Sequence, residues 1–563
     1  MSTPPPLSLC VGVTGHRDID PAALPRVREL VAQAFDTLEN KFGLDFVVFS
    51  SLAEGADRVV AEVALARDRP AKLVAVLPMP VAEYEKDFAA PESRAQFHGL
   101  LKQAENSFIV QTDRPVVAEE RFESYRRSGL YVANASHVLL ALSDGQTSGA
   151  PAGTWEIIRA KEAGESPLGR PDFAHVAIEK PRGVVVEVRT PRASDPDAAV
   201  PGLVWPTEEG RAWKALIKMC SFTTRLNEDA RKEVPDLQAL FADPESGAGR
   251  MKRHPSAALP EPDRLIDLYA VADHLAIVNQ KHVRRSWLVL HATAVLAVFA
   301  YGCYAHTEGH HWAMLAAYLS LLVFGLGTLL FVSWRGWHGR FIDYRGLAEG
   351  LRVAVYWRIA GLAGDLVDRY PANLTGEVEW VRMTLRGETA RSEPEDPGKA
   401  HTADTLTYVI REWVGRQAGY YKNTGRVDTG KEHRCRVLLA ATLLISAIIA
   451  VGLLVAQLVE PDHRLHEGLE AAFEAALVAI AVVPAIGAVA VGYAVRRGYA
   501  AQSRQYQRMR DLFEHAHMIL DSLQGDEAKR DVLSRLAGEA LAEHAQWVIL
   551  HRERPFEFVS GGS

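Results

Sequence analysis

Four long apolar stretches dominate the second half of the chain, whereas shorter apolar segments separated by polar turns fill its first third. Each long stretch lacks Asp, Glu, Lys and Arg, and each is close to the length of about 20 residues that a helix needs to cross a bilayer. Buried core helices are the alternative, but four uncharged runs in one chain favour membrane spans. The predicted spans are residues 287–305, 313–333, 437–459 and 475–495.

The charges around these stretches predict their orientation. The segment between the first two spans, HTEGHHW, has neither Lys nor Arg, and the segment between the last two, VEPDHRLHEGLE, is mostly acidic. Because basic flanks stay in the cytoplasm, we expect a multi-pass protein of the inner (plasma) membrane with both termini cytoplasmic. The basic flanking residues are Lys281, Arg284, Arg285, Arg335, Arg340, Lys431, Arg434, Arg436, Arg496 and Arg497.

The polar content of the spans bears on what they do. An ion-coupled transporter usually carries intramembrane carboxylates or lysines, and these spans have none, which disfavours that class. Small residues in the fourth span, such as Gly487 and Gly492, permit close helix contacts. They suit a homo-oligomer with a pore between subunits, and they also fit plain anchoring helices.

The two hairpins of spans look like an internal duplication. The first is followed by GRFIDYRGLAEGLRVAVYW and the second by QSRQYQRMRDLFEHAHMIL, so that Tyr344 aligns with Tyr506. Both segments are rich in aromatic and charged residues and have helical periodicity. The alternative is a pair of unrelated amphipathic helices that leave the membrane.

The first 190 residues predict a different architecture. The apolar segments LSLCVGVTG, FVVFS, KLVAVL, HVLLALS and GVVVEVR alternate with segments of helical periodicity. This alternation is typical of a doubly wound parallel sheet. The predicted fold class is therefore an α/β doubly wound, Rossmann-like N-terminal domain followed by an all-α membrane domain with four transmembrane helices in two hairpins.

Ligands of such sheets bind beyond the carboxyl ends of the strands. The loops expected there are TGHR, SSLAEGAD, LPMP and DGQTSGAPAGTWE, of which the last leads into a helix. A helix N-terminus with glycines before it can bind phosphate. The GxGxxG and GxxxxGK[ST] motifs are absent, which disfavours an NAD oxidoreductase or an ATPase.

Composition excludes further classes. The net charge of −7 and the pI near 6.3 give no basic footprint for a nucleic acid polymer. Cys10, Cys220, Cys303 and Cys435 are far apart without CxxC spacing, so neither a disulfide framework nor a zinc site is expected, and no other metal or cofactor is indicated. The N-terminus has no signal-peptide pattern, so the first domain is expected in the cytosol.

Several motifs together resemble the SLOG superfamily, a Rossmann-like group that includes nucleotide hydrolases and nucleotide-sensing modules. They are VGVTGHRDI, SSLAEGAD, the Ser-Asp-Gly at a strand end, GAPAGTWEIIRAKEAG and VEVRTPR, within residues 7–192. The membrane part is similar to the two-helix SLATT-type effector modules that are linked to SLOG domains in prokaryotic conflict systems. The segments YRGLAEGLR and AQWVILHRERPFEF carry that second resemblance.

The resemblance implies a ligand pocket built from three loops. In the related hydrolases two residues separate the threonine of the phosphate loop from a catalytic glutamate, whereas here only Trp155 separates Thr154 from Glu156. A helix turns by about 100° per residue, so Glu156 is expected to point elsewhere, which favours binding over hydrolysis. The implied pocket residues are Thr14, Gly15, His16, Arg17, Ser51, Glu54, Gly55, Asp144, Gly149, Gly153, Thr154 and Glu156.

Two of these residues have alternative roles. Arg17 is suited to bind phosphate through two parallel hydrogen bonds, or it pairs with Asp18 or Asp20. His16 is an acid, a base or a donor at the site, or it caps the following helix.

The leading functional hypothesis is a ligand-gated membrane effector. The SLOG-like domain would sense a nucleotide second messenger, a cyclic oligonucleotide or an ADP-ribose derivative made by a separate signal-producing protein. Binding would drive pore formation or membrane disruption, and the resemblance implies a role in antiviral defence. The alternatives are a membrane-anchored nucleotide phosphoribohydrolase that uses Glu54 or Glu156, and a transporter with a regulatory domain.

The chain divides by composition into five segments. They are the SLOG-like domain (1–192), a linker with cytosolic helices (193–280), the first hairpin with its extension (281–360), a central cytosolic region with a flexible loop at 387–399 (361–430), and the second hairpin with C-terminal helices (431–563).

Overall fold

The computed structural model of the chain describes residues 2–110, 121–146, 153–164, 183–197, 199–255, 263–306, 312–362, 366–370, 375–393, 403–459 and 466–552. Its packing divides the chain into two units. The first consists of Met1–Leu275, Tyr344–Val409 and Gly525–Ile549. The second consists of Ala276–Asp343, Ile410–Gln524 and Leu550–Ser563. Each unit thus combines parts of several sequence segments.

A seven-stranded sheet forms the core of the first unit. Its strands lie in the order β4-β3-β2-β1-β5-β6-β7, and all neighbouring strands are parallel except β6 and β7. β1 pairs with β2 on one side and with β5 on the other, so the winding direction reverses at β1. The strands are β1 (Leu9–Gly15), β2 (Phe46–Ser50), β3 (Lys72–Leu77), β4 (Asn106–Ile109), β5 (Val138–Ser143), β6 (Val184–Arg189) and β7 (Gly202–Val204).

Helices cover both faces of this sheet, which explains why β2 and β5 are buried along their whole length. α1 has the helical periodicity that the sequence predicts, since Val27, Leu30 and Phe35 on one face are buried and Leu24 at its start is half-buried. The predicted α/β doubly wound domain is confirmed. Its helices are α1 (Leu24–Phe42), α2 (Ala56–Leu65), α3 (Val81–Tyr84), α4 (Pro91–Gln103), α5 (Arg121–Ala135) and α6 (Thr154–Ala163).

Two of the seven strands are not among the five that the sequence predicts. β4 is a short edge strand that reads NSFI, too polar and too short to stand out by pattern. β7 lies in the segment predicted to be a linker, and it pairs antiparallel with β6, with Leu203 opposite Val188. The linker prediction is wrong there, because backbone hydrogen bonds to a sheet edge need no apolar pattern in the sequence.

The remaining helices follow in chain order. The fold class is confirmed here too, since the rest of the described chain is helical apart from its turns. These helices are α7 (Arg211–Glu233), α8 (Gly247–Met251), α9 (Arg264–His306), α10 (Trp312–Arg335), α11 (Trp337–Ile359), α12 (Thr375–Arg391), α13 (Ala403–Val409), α14 (Arg416–Val459), α15 (His466–Arg497), α16 (Tyr499–Ser522) and α17 (Asp526–Arg552).

Helix α12 packs against the amino ends of the strands. His137, just before β5, contacts the carbonyl oxygen of Met383 through Nε2 at 3.0 Å. Arg391 binds both carboxylate oxygens of Glu105 at 2.7 and 2.9 Å, beside the start of β4. Asn106 donates to the carbonyl oxygen of Arg391 at 3.1 Å. α12 therefore closes the edge of the sheet that lies opposite the carboxyl ends of the strands.

The same helix corrects the prediction of a flexible loop at 387–399. α12 continues to Arg391, and Gly387 lies so close to the Cys10 thiol that a Cβ at this glycine would be 2.6 Å from its sulfur. The beginning of the predicted loop is thus a packed helical turn, since the missing side chain of Gly387 lets the helix approach β1. Residues 394–402 lie outside the described part of the chain.

Within the described part of the chain, four helices are long and apolar enough to cross a membrane, and each contains one predicted span. The spans lie in α9, α10, α14 and α15. In the second hairpin Gly487 allows α15 to approach α14, because a Cβ there would lie 2.8 Å from the Cα of Leu439. Such contacts through small residues are typical of helices that pack in a membrane.

A glycine ends each hairpin in the same way. Gly336 follows α10 with a φ of 62°, and Gly498 follows α15 with a φ of 68°. Each lies eight residues before the tyrosine used in the sequence alignment (344 − 336 = 506 − 498 = 8), so one alignment superimposes both glycines and both tyrosines. The structure therefore repeats hairpin, left-handed glycine and aromatic helix in that order.

Candidate ligand-binding site

A cavity of about 410 Å³ opens at the carboxyl ends of β1 and β5, where the winding of the sheet reverses. It draws on the loops after β1, β2, β3, β5 and β6, on α5 and on the first turns of α2 and α6. The lining residues are Val13, Thr14, Gly15, His16, Arg17, Asp18, Ser51, Ala53, Asp57, Pro78, Tyr84, Tyr125, Ser128, Gly129, Ser143, Asp144, Gln146, Gly153, Thr154, Trp155, Ile157, Ile158 and Arg192.

His16 joins the end of β1 to the end of β5. Its Nε2 accepts a hydrogen bond from the backbone N–H of Asp144 at 2.9 Å, so the neutral ring carries its proton on Nδ1. Burial, with the positive charge of Arg192 next in size, lowers the pKa of His16 below its usual range. A buried neutral imidazole in this position fixes two strand ends in relation to each other and does not cap the following helix.

Asp144 and Arg192 form the best-connected ion pair of the cavity. The Nε of Arg192 donates to Asp144 at 2.8 Å, and a second nitrogen of Arg192 lies 3.6 Å from Asp18. Burial alone would raise the pKa of Asp144, but hydrogen bonds from Gln146 N–H and Arg192 hold it below its usual range. These contacts tie the loop after β6 to those after β1 and β5.

Arg17 is an exposed residue that lines the cavity. Its charge lies over the ring of Tyr125, 5.1 Å from the centroid, and no ion pair with Asp18 or Asp20 occurs in the described structure. The alternative prediction, an Arg17 paired with either aspartate, is therefore not what the structure shows. The side chain of Arg17 also forms a hydrogen bond with Tyr125, and its remaining N–H donors are able to meet an anion.

The N-terminus of α6 completes one side of the cavity. Gly153 is the N-cap, and no side chain of the described residues caps the first turn. Gly153, Thr154 and Trp155 all line the cavity, so the backbone N–H groups of the first turn and the positive end of the helix dipole are close to it. This is the geometry in which proteins commonly hold a phosphate or carboxylate.

The loop after β2 has an unusual backbone. Leu52, fully buried, is the one non-glycine residue with positive φ in the described part of the chain, at 56°. Gly55 has a φ of 78°, and a Cβ there would lie 2.5 Å from the carbonyl oxygen of His16. The loop is thus pressed against the loop after β1, and it turns Ser51 and Ala53 toward the cavity.

The structure brings together eight of the twelve predicted site residues as cavity lining, and it places three others elsewhere. Glu54 accepts a hydrogen bond from Ser93. Glu156 accepts a hydrogen bond of 2.6 Å from Arg126 Nε, which agrees with the prediction that its carboxylate points away from the pocket. Gly55 acts through its backbone. Gly149 lies outside the described residues. The eight lining residues are Thr14, Gly15, His16, Arg17, Ser51, Asp144, Gly153 and Thr154.

The sequence did not single out several other lining residues. Asp57 is the last residue of the SSLAEGAD motif and Arg192 is the last residue of VEVRTPR, so membership of these motifs was the available signal. Tyr84 and Tyr125 belong to α3 and α5, whose weak apolar patterns gave no reason to place them at the site.

A metal centre has no support in the described part of the chain, where no cluster of three or more His, Cys, Asp or Glu residues is suited to a cation. No protein family model matches this chain, and no curated protein matches it. Its function is therefore inferred from the site and from the apolar helices.

Proposed function

We propose that this chain is a ligand-gated membrane effector whose N-terminal sheet domain senses a nucleotide second messenger. The main support is the cavity at the point where the winding of the sheet reverses. The described part of the same chain also has four helices able to cross a membrane. The proposed ligand is a cyclic oligonucleotide or an ADP-ribose derivative, supplied by a separate signal-producing protein. The proposed response is pore formation or membrane disruption.

The chemistry of the cavity supports an anionic, aromatic ligand. The N-terminus of α6 and the guanidinium of Arg17 offer donors to phosphate oxygens. Tyr125 and Trp155 offer aromatic surfaces at the same cavity, on which a base can stack. A nucleotide combines both features, whereas a fatty acid has no aromatic ring and a simple sugar has neither an aromatic ring nor a charge.

The membrane part and the resemblance extend the proposal. A homo-oligomer in the inner membrane, with cytoplasmic termini, would place the cavity where a cytosolic messenger reaches it. The resemblance of the motifs to SLOG domains and of the hairpins to SLATT modules supports, by analogy, a role in prokaryotic antiviral defence. A messenger that moves such a protein from 1% to 99% active must bind the active state more tightly by about 5.5 kcal/mol.

The test uses the full-length protein in detergent and in liposomes. Cyclic oligonucleotides, ADP-ribose isomers and nucleoside monophosphates are screened by thermal shift, and the survival of each compound is checked by chromatography. A stabilising compound is then tested for dye release from liposomes. We expect Arg17→Ala to weaken binding at least tenfold, because it removes a charged hydrogen-bond donor.

The matched control is Arg94→Ala, which removes an exposed arginine that does not line the cavity. Its binding and dye release should equal those of the wild type. If no compound in the panel shifts the melting temperature, or if a bound compound releases no dye, the sensor-effector proposal is wrong.

If the chain is instead a phosphoribohydrolase, its catalytic carboxylate is Asp57 and not Glu54 or Glu156. Glu54 and Glu156 are absent from the lining, whereas Asp57 lines the cavity, and burial raises its pKa to about 6. A raised carboxyl pKa is what general acid–base catalysis of glycosidic cleavage uses. Consumption of a bound nucleotide by wild type and not by Asp57→Asn would favour a phosphoribohydrolase over a sensor.

A further inference from the structure

Two polar side chains of the cavity have no part in the anion-binding features described above. Tyr84 comes from α3, after β3, and Asp57 comes from the first turn of α2, after β2. Both line the cavity and both are buried, at 0% and 6% exposure. They therefore belong to its inner wall, whereas Arg17 is exposed.

The Tyr84 hydroxyl is buried and has no hydrogen-bond partner among the described residues. Its ring is fixed by Phe88 and Phe97, with centroids 5.0 and 5.6 Å away, in edge-to-face contacts. A buried hydroxyl without a partner is costly, and a packed ring cannot turn to find one. A ligand atom that pairs with this hydroxyl removes that cost.

Asp57 faces the same part of the cavity. Its carboxylate accepts a long hydrogen bond of 3.4 Å from the backbone N–H of Ala53, and further hydrogen bonds from the backbone of Ser51 and the side chain of Ser50. A carboxylate has about four lone-pair sites, so acceptor capacity remains for a ligand. The Tyr84 hydroxyl lies within electrostatic range of both Asp57 and Arg17. The cavity wall thus offers the carboxylate of Asp57 as an acceptor and the hydroxyl of Tyr84. It also offers the positive charge of Arg17 toward the opening.

We propose that Asp57 and Tyr84 form a subsite for the ribose hydroxyls of the bound nucleotide. The proposal rests on the nucleotide-binding function proposed above. A vicinal diol has two O–H donors and several lone pairs, so it can donate to the carboxylate of Asp57 while it pairs with the phenol of Tyr84. Phosphate is repelled by the carboxylate and is better placed at α6 and Arg17, which orients the nucleotide with its sugar inward.

The experiment measures discrimination against missing hydroxyls. AMP and ADP-ribose are compared with their 2′-deoxy and 2′,3′-dideoxy counterparts for binding to the full-length protein in detergent, by calorimetry. We expect the hydroxylated member of a binding pair to bind at least tenfold more tightly, because two buried polar groups lose their partners with the deoxygenated one. Tyr84→Phe and Asp57→Asn should each bring this ratio toward one.

Two control variants separate the subsite from general effects of burial. Tyr370→Phe removes another buried hydroxyl without a partner among the described residues, and Asp267→Asn removes another carboxyl whose pKa burial raises to about 6. Neither lines the cavity, so both should keep the wild-type ratio.

The outcomes distinguish the subsite from the function on which it rests. The ribose subsite is overturned, and nucleotide binding is left intact, if the wild-type protein binds hydroxylated and deoxygenated nucleotides equally well. The same conclusion follows if both Tyr84→Phe and Asp57→Asn keep the wild-type ratio of the two affinities. A protein that binds none of these compounds, nor any in the wider panel, overturns both proposals. Circular dichroism of each variant checks that the change is not one of folding, and Tyr84→Phe keeps the test available if Asp57→Asn does not fold.

Discussion

At Gly55 the backbone φ of 78° and the nearby carbonyl of His16 leave no room for a side chain. We expect Gly55→Ala to lower the free energy of unfolding by about 2 to 4 kcal/mol, because left-handed strain and a steric clash add together. Gly43→Ala is the matched control, since Gly43 has a φ of 66° and open space around it. It should cost only about 1 kcal/mol. Equal losses of unfolding free energy in denaturant titrations would show that the loop after β2 is not pressed against the loop after β1.

The buried side chain of His137 makes the free energy of unfolding depend on pH. Its Nδ1 accepts from the backbone N–H of Cys10 at 3.0 Å, and burial lowers its pKa to about 4. A lowered histidine pKa gives stability that is present above about pH 6.5 and is lost as the pH falls through 4. We expect the stability difference between wild type and His137→Gln to shrink by about 3 kcal/mol over that range. A difference independent of pH in denaturant titrations would contradict a neutral, buried His137.

Some helices and strands were predictable from the sequence and others were not. The four spans were predictable because a run of about 20 uncharged residues is a strong signal even where single residues are atypical. α1 was predictable because its apolar positions recur with the helical period. β4, β7 and α5 were not, because a short edge strand and a helix with few apolar positions depend on their neighbours for stability. Loops at strand ends were therefore predictable as site positions, whereas Tyr84 and Tyr125 were not.

The contact of α14 with α15 gives a test at the scale of elements. A side chain at Gly487 would meet Leu439 and Thr442 of the facing helix, whereas Gly492 of the same helix has open space. We expect Gly487→Leu to lower the melting temperature of the protein in detergent by several degrees, because it separates the two helices. Gly492→Leu should leave it within about one degree. Similar losses in both variants would argue against this packing.

At the scale of the whole molecule, the charge pattern predicts which side each segment faces. Alkaline phosphatase inserted after Val459, between the third and fourth spans, should be active, because it is exported. The same enzyme fused to the C-terminus should be inactive, and a fluorescent protein there should fluoresce. The reverse result would place the cavity outside the cytosol and remove the route by which a cytosolic messenger reaches it.

The docking of α12 under the sheet has a consequence for the order of events during synthesis. The last strand of the sheet ends at Val204, but Met383, which His137 contacts, is made about 180 residues later. At about 5 to 20 residues per second, the ribosome needs roughly 10 to 40 seconds for that interval. The first two apolar stretches leave the ribosome within it. The growing chain thus carries a sheet open at its amino edge while its first hairpin is being inserted, and that edge is the surface a chaperone would meet.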